Sequence, residues 1–175
     1  MPFQYFIFLD ANFLLIPAQF KIDFYQQFRL LIPGTYQIIV PSAILKELKH
    51  KAAQNLPTST FSRQLKLAFQ ILENEPHKII DCPRPETSYI SVDDWILQVM
   101  EDFKKEINNP RYKDESQSFL KEFSSTNASI SKSTLFLATN DKILRKKALE
   151  KGFATIFLRQ KQRLEVIFPK PGCCY

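Results

Sequence analysis

Short apolar runs alternate with amphipathic stretches along this chain, and their order predicts a layered α/β fold. Tyr5 to Leu9 is continuously apolar and is cut off by the turn-prone Asp10-Ala11-Asn12, the pattern of a strand buried on both faces. Ile22 to Ile32 places apolar residues at 24, 28, 31 and 32, a helical spacing that Pro33-Gly34 stops. Tyr36 to Val40 repeats the buried-strand pattern, and Pro41-Ser42 opens a helix to about Gln54 with Ser42 as its expected N-cap. Thr58 to Glu75 continues helical, with Phe61, Leu65, Ala68, Phe69 and Leu72 on one face. Lys78 to Ile80 reads as a short third strand, and Val92 to about Glu106 as an amphipathic helix built on Ile96, Val99, Met100 and Phe103. Leu135 to Ala138 and Ala154 to Leu158 supply the fourth and fifth strands, separated by a basic helix from Lys142 to Lys151.

Strands alternating with helices imply a parallel sheet covered on both faces. The expected fold class is therefore α/β, a three-layer α/β/α sandwich around a central parallel sheet. One domain over about 1–160 accounts for the pattern. It is interrupted at about 107–133 by a polar insertion rich in Asn, Ser, Lys and Glu, and followed over 161–175 by a basic C-terminal tail.

Composition narrows what such a domain does. At 175 residues and 45% apolar, the chain is long enough to bury a sizeable core. Lys and Arg number 24 against 18 Asp and Glu, a net charge of +6 that suits a polyanionic partner. The longest apolar run, Tyr5 to Leu9, is far short of the roughly 20 residues that span a bilayer, so no membrane partner is expected. No charged segment precedes it, which argues against a signal peptide. Three cysteines form neither a metal spacing nor a disulfide framework, and a reducing cytoplasm is the expected location. Two histidines argue against a His-rich metal site, and three glycines against a Gly-rich phosphate loop.

Ligands of such a sheet bind beyond the carboxyl ends of its strands. Asp10 directly follows the first strand, with Asn12 in the same turn. Glu47 lies on the second turn of the helix after the second strand. Asp93 and Asp94 open the helix at Val92, and Thr139, Asn140 and Asp141 follow the fourth strand. Carboxylates gathered in one cleft repel, and a divalent cation is the usual compensation. Oxygen-only ligands with no His or Cys nearby favour Mg²⁺ or Mn²⁺. Such an ion activates water for in-line attack on a phosphodiester, and basic flanks would hold the phosphates.

The segments Phe8-Leu9-Asp10-Ala11-Asn12, Val40 to Leu48, Val92-Asp93-Asp94-Trp95-Ile96-Leu97 and Ala138 to Arg145 resemble, in order, the four motifs of PIN-domain nucleases. The likeness covers residues 4 to 160. It is nearest to stand-alone archaeal and eukaryotic PIN proteins related to ribosomal-RNA cleavage factors and VapC-type toxins. The resemblance implies metal-dependent cleavage of RNA, single-stranded or an rRNA precursor. It implies metal ligation and catalysis by Asp10, Glu47 and Asp141, with either Asp93 or Asp94 as the third acid. Asp94 is favoured there because the apolar helix face follows it. Asn12, Thr139 and Asn140 fall on polar positions that orient ligands or water. An rRNA-processing role brings ribosome-assembly partners with it, a toxin role brings an antitoxin, and a homodimer is compatible with either. The polar insertion departs from the family pattern, and no zinc-ribbon cysteines are present.

Each acid has a local alternative. Asp10 can make an Asx-turn, and Glu47 can pair with Lys51 at i,i+4. Ser91 to Asp94 resembles a capping box, and Asp141 suits the first turn of its helix. Lys46 and Lys49 beside Glu47, and Lys142, Arg145 and Lys146 after Asp141, are the expected RNA-backbone contacts, with a merely solvated face as the alternative. A non-catalytic PIN-like scaffold that binds RNA or a ribosome-assembly partner is the alternative to the ribonuclease as a whole.

Overall fold

The computed structural model describes residues 4–82, 89–108 and 134–170. Most of the expected insertion, from residue 109 on, lies outside the described residues, as does the Cys173-Cys174 end. The elements run β1 (Tyr5–Leu9), α1 (Ala11–Leu14), α2 (Ile16–Phe20), α3 (Phe24–Leu31), β2 (Tyr36–Pro41), α4 (Ser42–Ala53) and α5 (Thr60–Glu73). They continue with β3 (His77–Ile80), α6 (Val92–Asn108), β4 (Thr134–Ala138), α7 (Lys142–Glu150), β5 (Ala154–Arg159) and β6 (Arg163–Ile167).

Six strands form one sheet in the order β3-β2-β1-β4-β5-β6. The first five are parallel, and β6 is antiparallel to β5. The chain steps from β1 outward to β2 and β3, then crosses back to β4, so the topological switch point lies between β1 and β4. Register places the site there: Leu9 stands opposite Ala138, so Asp10 and Thr139 leave the sheet side by side. Asp10 N–H still donates to the Ala138 carbonyl at 3.1 Å, and Thr139 N–H to that of Ile156 at 2.9 Å.

Right-handed crossovers put α6 and α7 on one face and α1 to α5 on the other. On the first face the Phe103 ring of α6 meets Phe6 and Phe8 edge-on at 5.1 and 5.3 Å. Those two residues are alternate positions of β1, as a period of two requires. On the second face Phe13, Phe24 and Phe28 pack with Phe24 centred 5.2 Å from each of the others. Leu65, Ala68 and Leu72 of α5 are buried as their spacing predicts, with Phe61 and Phe69 packed part-way against them.

Four differences from the sequence expectation have physical causes. The stretch after Asp10 folds into two short helices, α1 and α2, and the apolar Phe13, Leu14 and Ile16 within them and Leu15 between them are all buried. Helix α6 does not end near Glu106 but runs through Asn108, because Ile107 is still in the core. Ser42 does not cap α4; Pro41 occupies the cap position, and the Ser42 hydroxyl donates to Asp81 Oδ1 at 3.0 Å instead. Finally, the start of the basic tail is a sixth strand, with Leu164 and Val166 opposite Leu158 and Ile156. Its turn uses Gln160 and Lys161 in the left-handed region (φ 50° and 57°), where Gly or Asn is the usual signal. Helix α3 holds this edge, since Gln27 Oε1 accepts from Leu164 N–H at 2.6 Å.

Candidate active site

Asp10 is the most buried acid among the described residues, 4% exposed. Its Oδ2 accepts from the Thr139 hydroxyl at 2.9 Å, a bond that spans the switch point. Thr139 is fully buried, and its oxygen also accepts from Asp141 N–H at 3.1 Å. One hydroxyl therefore couples the turn after β4 to the carboxylate after β1. Burial pushes the Asp10 carboxyl up to about 6; the Thr139 hydroxyl offsets part of that, while Asp93 and Glu47 push further upward.

Asp93, in the first turn of α6, is also raised, first by burial and then by the charges of Asp141, Glu47 and Asp94. Asp10, Glu47, Asp93 and Asp141 thus share one electrostatic neighbourhood at the carboxyl end of the sheet. Three of the local alternatives are realised at the same time. Glu47 pairs with Lys51 at 2.5 Å. Asp141 caps α7, its Oδ1 accepting from Ile143 N–H at 2.6 Å and Leu144 N–H at 2.9 Å. Asp94 accepts from the Ser91 hydroxyl at 2.8 Å and donates its own N–H back to it at 3.1 Å.

Asp94 is further engaged by Lys147, whose Nζ lies 2.6 Å from Oδ1. The Lys147 and Ser91 hydrogen bonds hold its carboxyl below the usual carboxylate range. The two adjacent acids are therefore in opposite situations: Asp94 is held by Lys147 and Ser91, while Asp93 is raised by burial and by the charges of Asp141 and Glu47. Asn140 is likewise committed, its Oδ1 accepting from Leu158 N–H at 2.8 Å to join the β4 turn to β5. Asn12 is exposed on α1.

The expected RNA contacts divide in the same way. Lys46, Lys49 and Lys142 are exposed. Arg145 stacks over the Phe157 ring at 4.0 Å, and Lys146 lies 3.8 Å from Glu150. Sequence reasoning missed Lys147, because no spacing rule links it to an acid 53 residues away. It also missed a structural brace. Cys82 N–H donates to the Ser42 hydroxyl at 3.1 Å, and the Trp95 indole N–H donates to the Cys82 carbonyl at 3.3 Å. That brace joins the first residue of α4 to the first turn of α6, the helices that carry Glu47 and Asp93.

The donor set is carboxylate only, which fits a hard divalent cation. Among the described residues no three Asp, Glu, His or Cys side chains stand close enough to hold an ion as the fold rests. No described helix is long and apolar enough to cross a membrane.

A PIN-like domain family model matches residues 7–72, the span that carries Asp10 and Glu47. The solved structure of the PIN domain endonuclease Utp24 aligns with a TM-score of 0.60 and 17% identity, covering 94% of each chain. That of VapBC2 from Rickettsia felis, bound to a DNA fragment from its promoter, aligns with a TM-score of 0.39 and 15% identity, covering 81% of this chain and 92% of that one. No curated protein sequence matches significantly. The mostly parallel six-stranded sheet flanked by helices is the PIN-like α/β fold.

Proposed function

We propose that the chain is a metal-dependent endoribonuclease that hydrolyses RNA phosphodiester bonds with Mg²⁺ or Mn²⁺. The observation that carries this reading is Asp10, a buried carboxylate at the switch point whose neighbours Asp93 and Glu47 raise it rather than relieve it. A site that concentrates like charge in this way is built to receive a cation. Asp10, Glu47, Asp93 and Asp141 would hold the ion, with Asp93 in the place first expected of Asp94. A bound divalent cation supplies polarisation of the phosphoryl oxygen and a more acidic water.

The chain's own groups supply the rest. Thr139 fixes the Asp10 carboxylate through its hydroxyl. Lys46 and Lys49, exposed on the helix of Glu47, and Lys142, exposed next to Asp141, would neutralise phosphates of a single-stranded RNA. In the cell the enzyme acts in the cytoplasm, in ribosomal-RNA processing with an assembly partner or as a toxin held by an antitoxin.

The test is cleavage of labelled structured and unstructured RNAs with Mn²⁺, with Mg²⁺ and with chelator, comparing wild type with Asp10→Asn. Cleavage that needs the ion and is lost in Asp10→Asn is expected. RNA binding without any cleavage, unchanged in Asp10→Asn, would instead identify a non-catalytic PIN-like scaffold.

A further inference from the structure

Asp93 and Asp141 sit at the starts of two different helices, α6 and α7. Their charges repel, and core packing of both helices brings the two starts near each other against that repulsion. Within the described residues the shortest ion pair linking these helices near that point is Lys147 to Asp94, at 2.6 Å. The Lys147 ammonium also lies in the fields of Asp93 and Asp141, so it attracts both partners of the repelling pair. Asp94 is fixed at its other oxygen by the Ser91 hydroxyl at 2.8 Å. A carboxylate held at both oxygens sets the rotation of α6 about its axis. Successive helix positions diverge by about 100°, so anchoring Asp94 on the α7 side leaves Asp93 turned toward the other acids.

Resting on the metal-site reading above, we propose that Asp94 and Lys147 form a clasp between α6 and α7 that sets the spacing of Asp93 and Asp141. The clasp thereby tunes the affinity for a divalent cation, and Asp94 stays outside the ion's ligand set. Both are positioning residues. A second ion pair between the same helices, Lys151 to Glu101 at 2.7 Å, lies farther from the acids and serves as the internal control. Exposed ion pairs contribute little to stability, so the clasp should show in ion affinity and not in melting.

The experiment is a Mn²⁺ titration of the full chain by calorimetry, paralleled by emission of Trp95, the single tryptophan, which is adjacent to Asp94. Lys147→Met is expected to weaken Mn²⁺ binding about tenfold, the scale set by loss of outer partners of metal ligands, with little change in Tm. Lys147→Arg and Lys151→Met should bind Mn²⁺ as wild type does. The reciprocal exchange, Asp94→Lys with Lys147→Asp, should recover most of the affinity that either single change loses. Wild-type affinity in Lys147→Met, with binding lost in Asp10→Asn, would overturn the clasp and leave the metal site standing. An exchange no better than Asp94→Lys alone would make Asp94 a ligand and overturn the clasp equally. A wild-type chain that binds no Mn²⁺ would remove both readings.

Discussion

Asp10 and Asp94 are carboxylates at the same end of the same sheet, yet the fold treats them oppositely. Asp10 is buried, has one hydroxyl donor and faces further acids, so its carboxyl is pushed up to about 6. Asp94 lies at the rim with a lysine and a serine on its oxygens, and its carboxyl is held below the usual range. Environments that push two like groups apart assign them different tasks. Among the described residues no Lys or Arg forms an ion pair with Asp10, whereas Asp94 is paired with Lys147.

The largest expected effect comes from removing the unsatisfied charge. Asp10→Asn should lower RNA cleavage at least about 10³-fold while raising the ion-free Tm by several degrees, because it deletes a buried charge and can still accept from Thr139. A fall in both activity and Tm would mean that the charged carboxylate supports the fold. Next is pH. Asp10 holds its proton to about 6 in the folded chain against 3.8 for an unperturbed Asp. Between those values the folded state binds more protons, so stability falls as pH rises, by about 3 kcal/mol in all. Below that window the group contributes no pH dependence. Denaturant titrations of the ion-free protein from pH 4 to 7 should show this loss against Asp10→Asn as baseline, and saturating Mn²⁺ should restore most of it. Asp94 works with the opposite sign: its contribution is present above the ordinary carboxylate range and lost as pH falls beneath it.

A sharper cut through the comparison is the adjacent pair. Asp93→Asn should reduce cleavage at saturating Mn²⁺ by about 10²-fold or more, whereas Asp94→Asn should be corrected largely by raising the Mn²⁺ concentration. The reverse order would restore Asp94 as the third acid. The smallest effect belongs to the basic rim. Replacing Lys46, Lys49 and Lys142 together by Ala should weaken binding of many RNA sequences alike and flatten its salt dependence, leaving Mn²⁺ affinity unchanged. Adding Arg145→Ala should contribute less, since its guanidinium is stacked on Phe157.

Much of the fold was legible because burial imposes period. The apolar runs of β1, β2, β4 and β5 and the helical spacing in α5 and α6 stand in the sequence at nearly their folded bounds. Strand β6 was not read, although Leu164 and Val166 alternate as a strand requires, because its turn is made by Gln160 and Lys161 without Gly or Asn. Helices α1 and α2 were hidden for another reason. Each is only four or five residues long, too short for a period to emerge, and tertiary packing of Phe13 and Ile16 makes them.

By itself, then, the sequence determined the order of strands and helices, the excess of basic charge, and which segments carry an acid just past a strand or at a helix start. Those are local properties, set by side-chain period, capping chemistry and turn residues. What each acid faces was decided only by the tertiary structure. Asp93 and Asp94 are neighbours in the chain and nearly equal in local preference, but helix rotation and Lys147, 53 residues on, give one a cation and leave the other among carboxylates. The β1–β4 register likewise sets Asp10 beside Thr139 across 129 residues. Electrostatic environment is a property of distance in space, and no pattern along the chain encodes it.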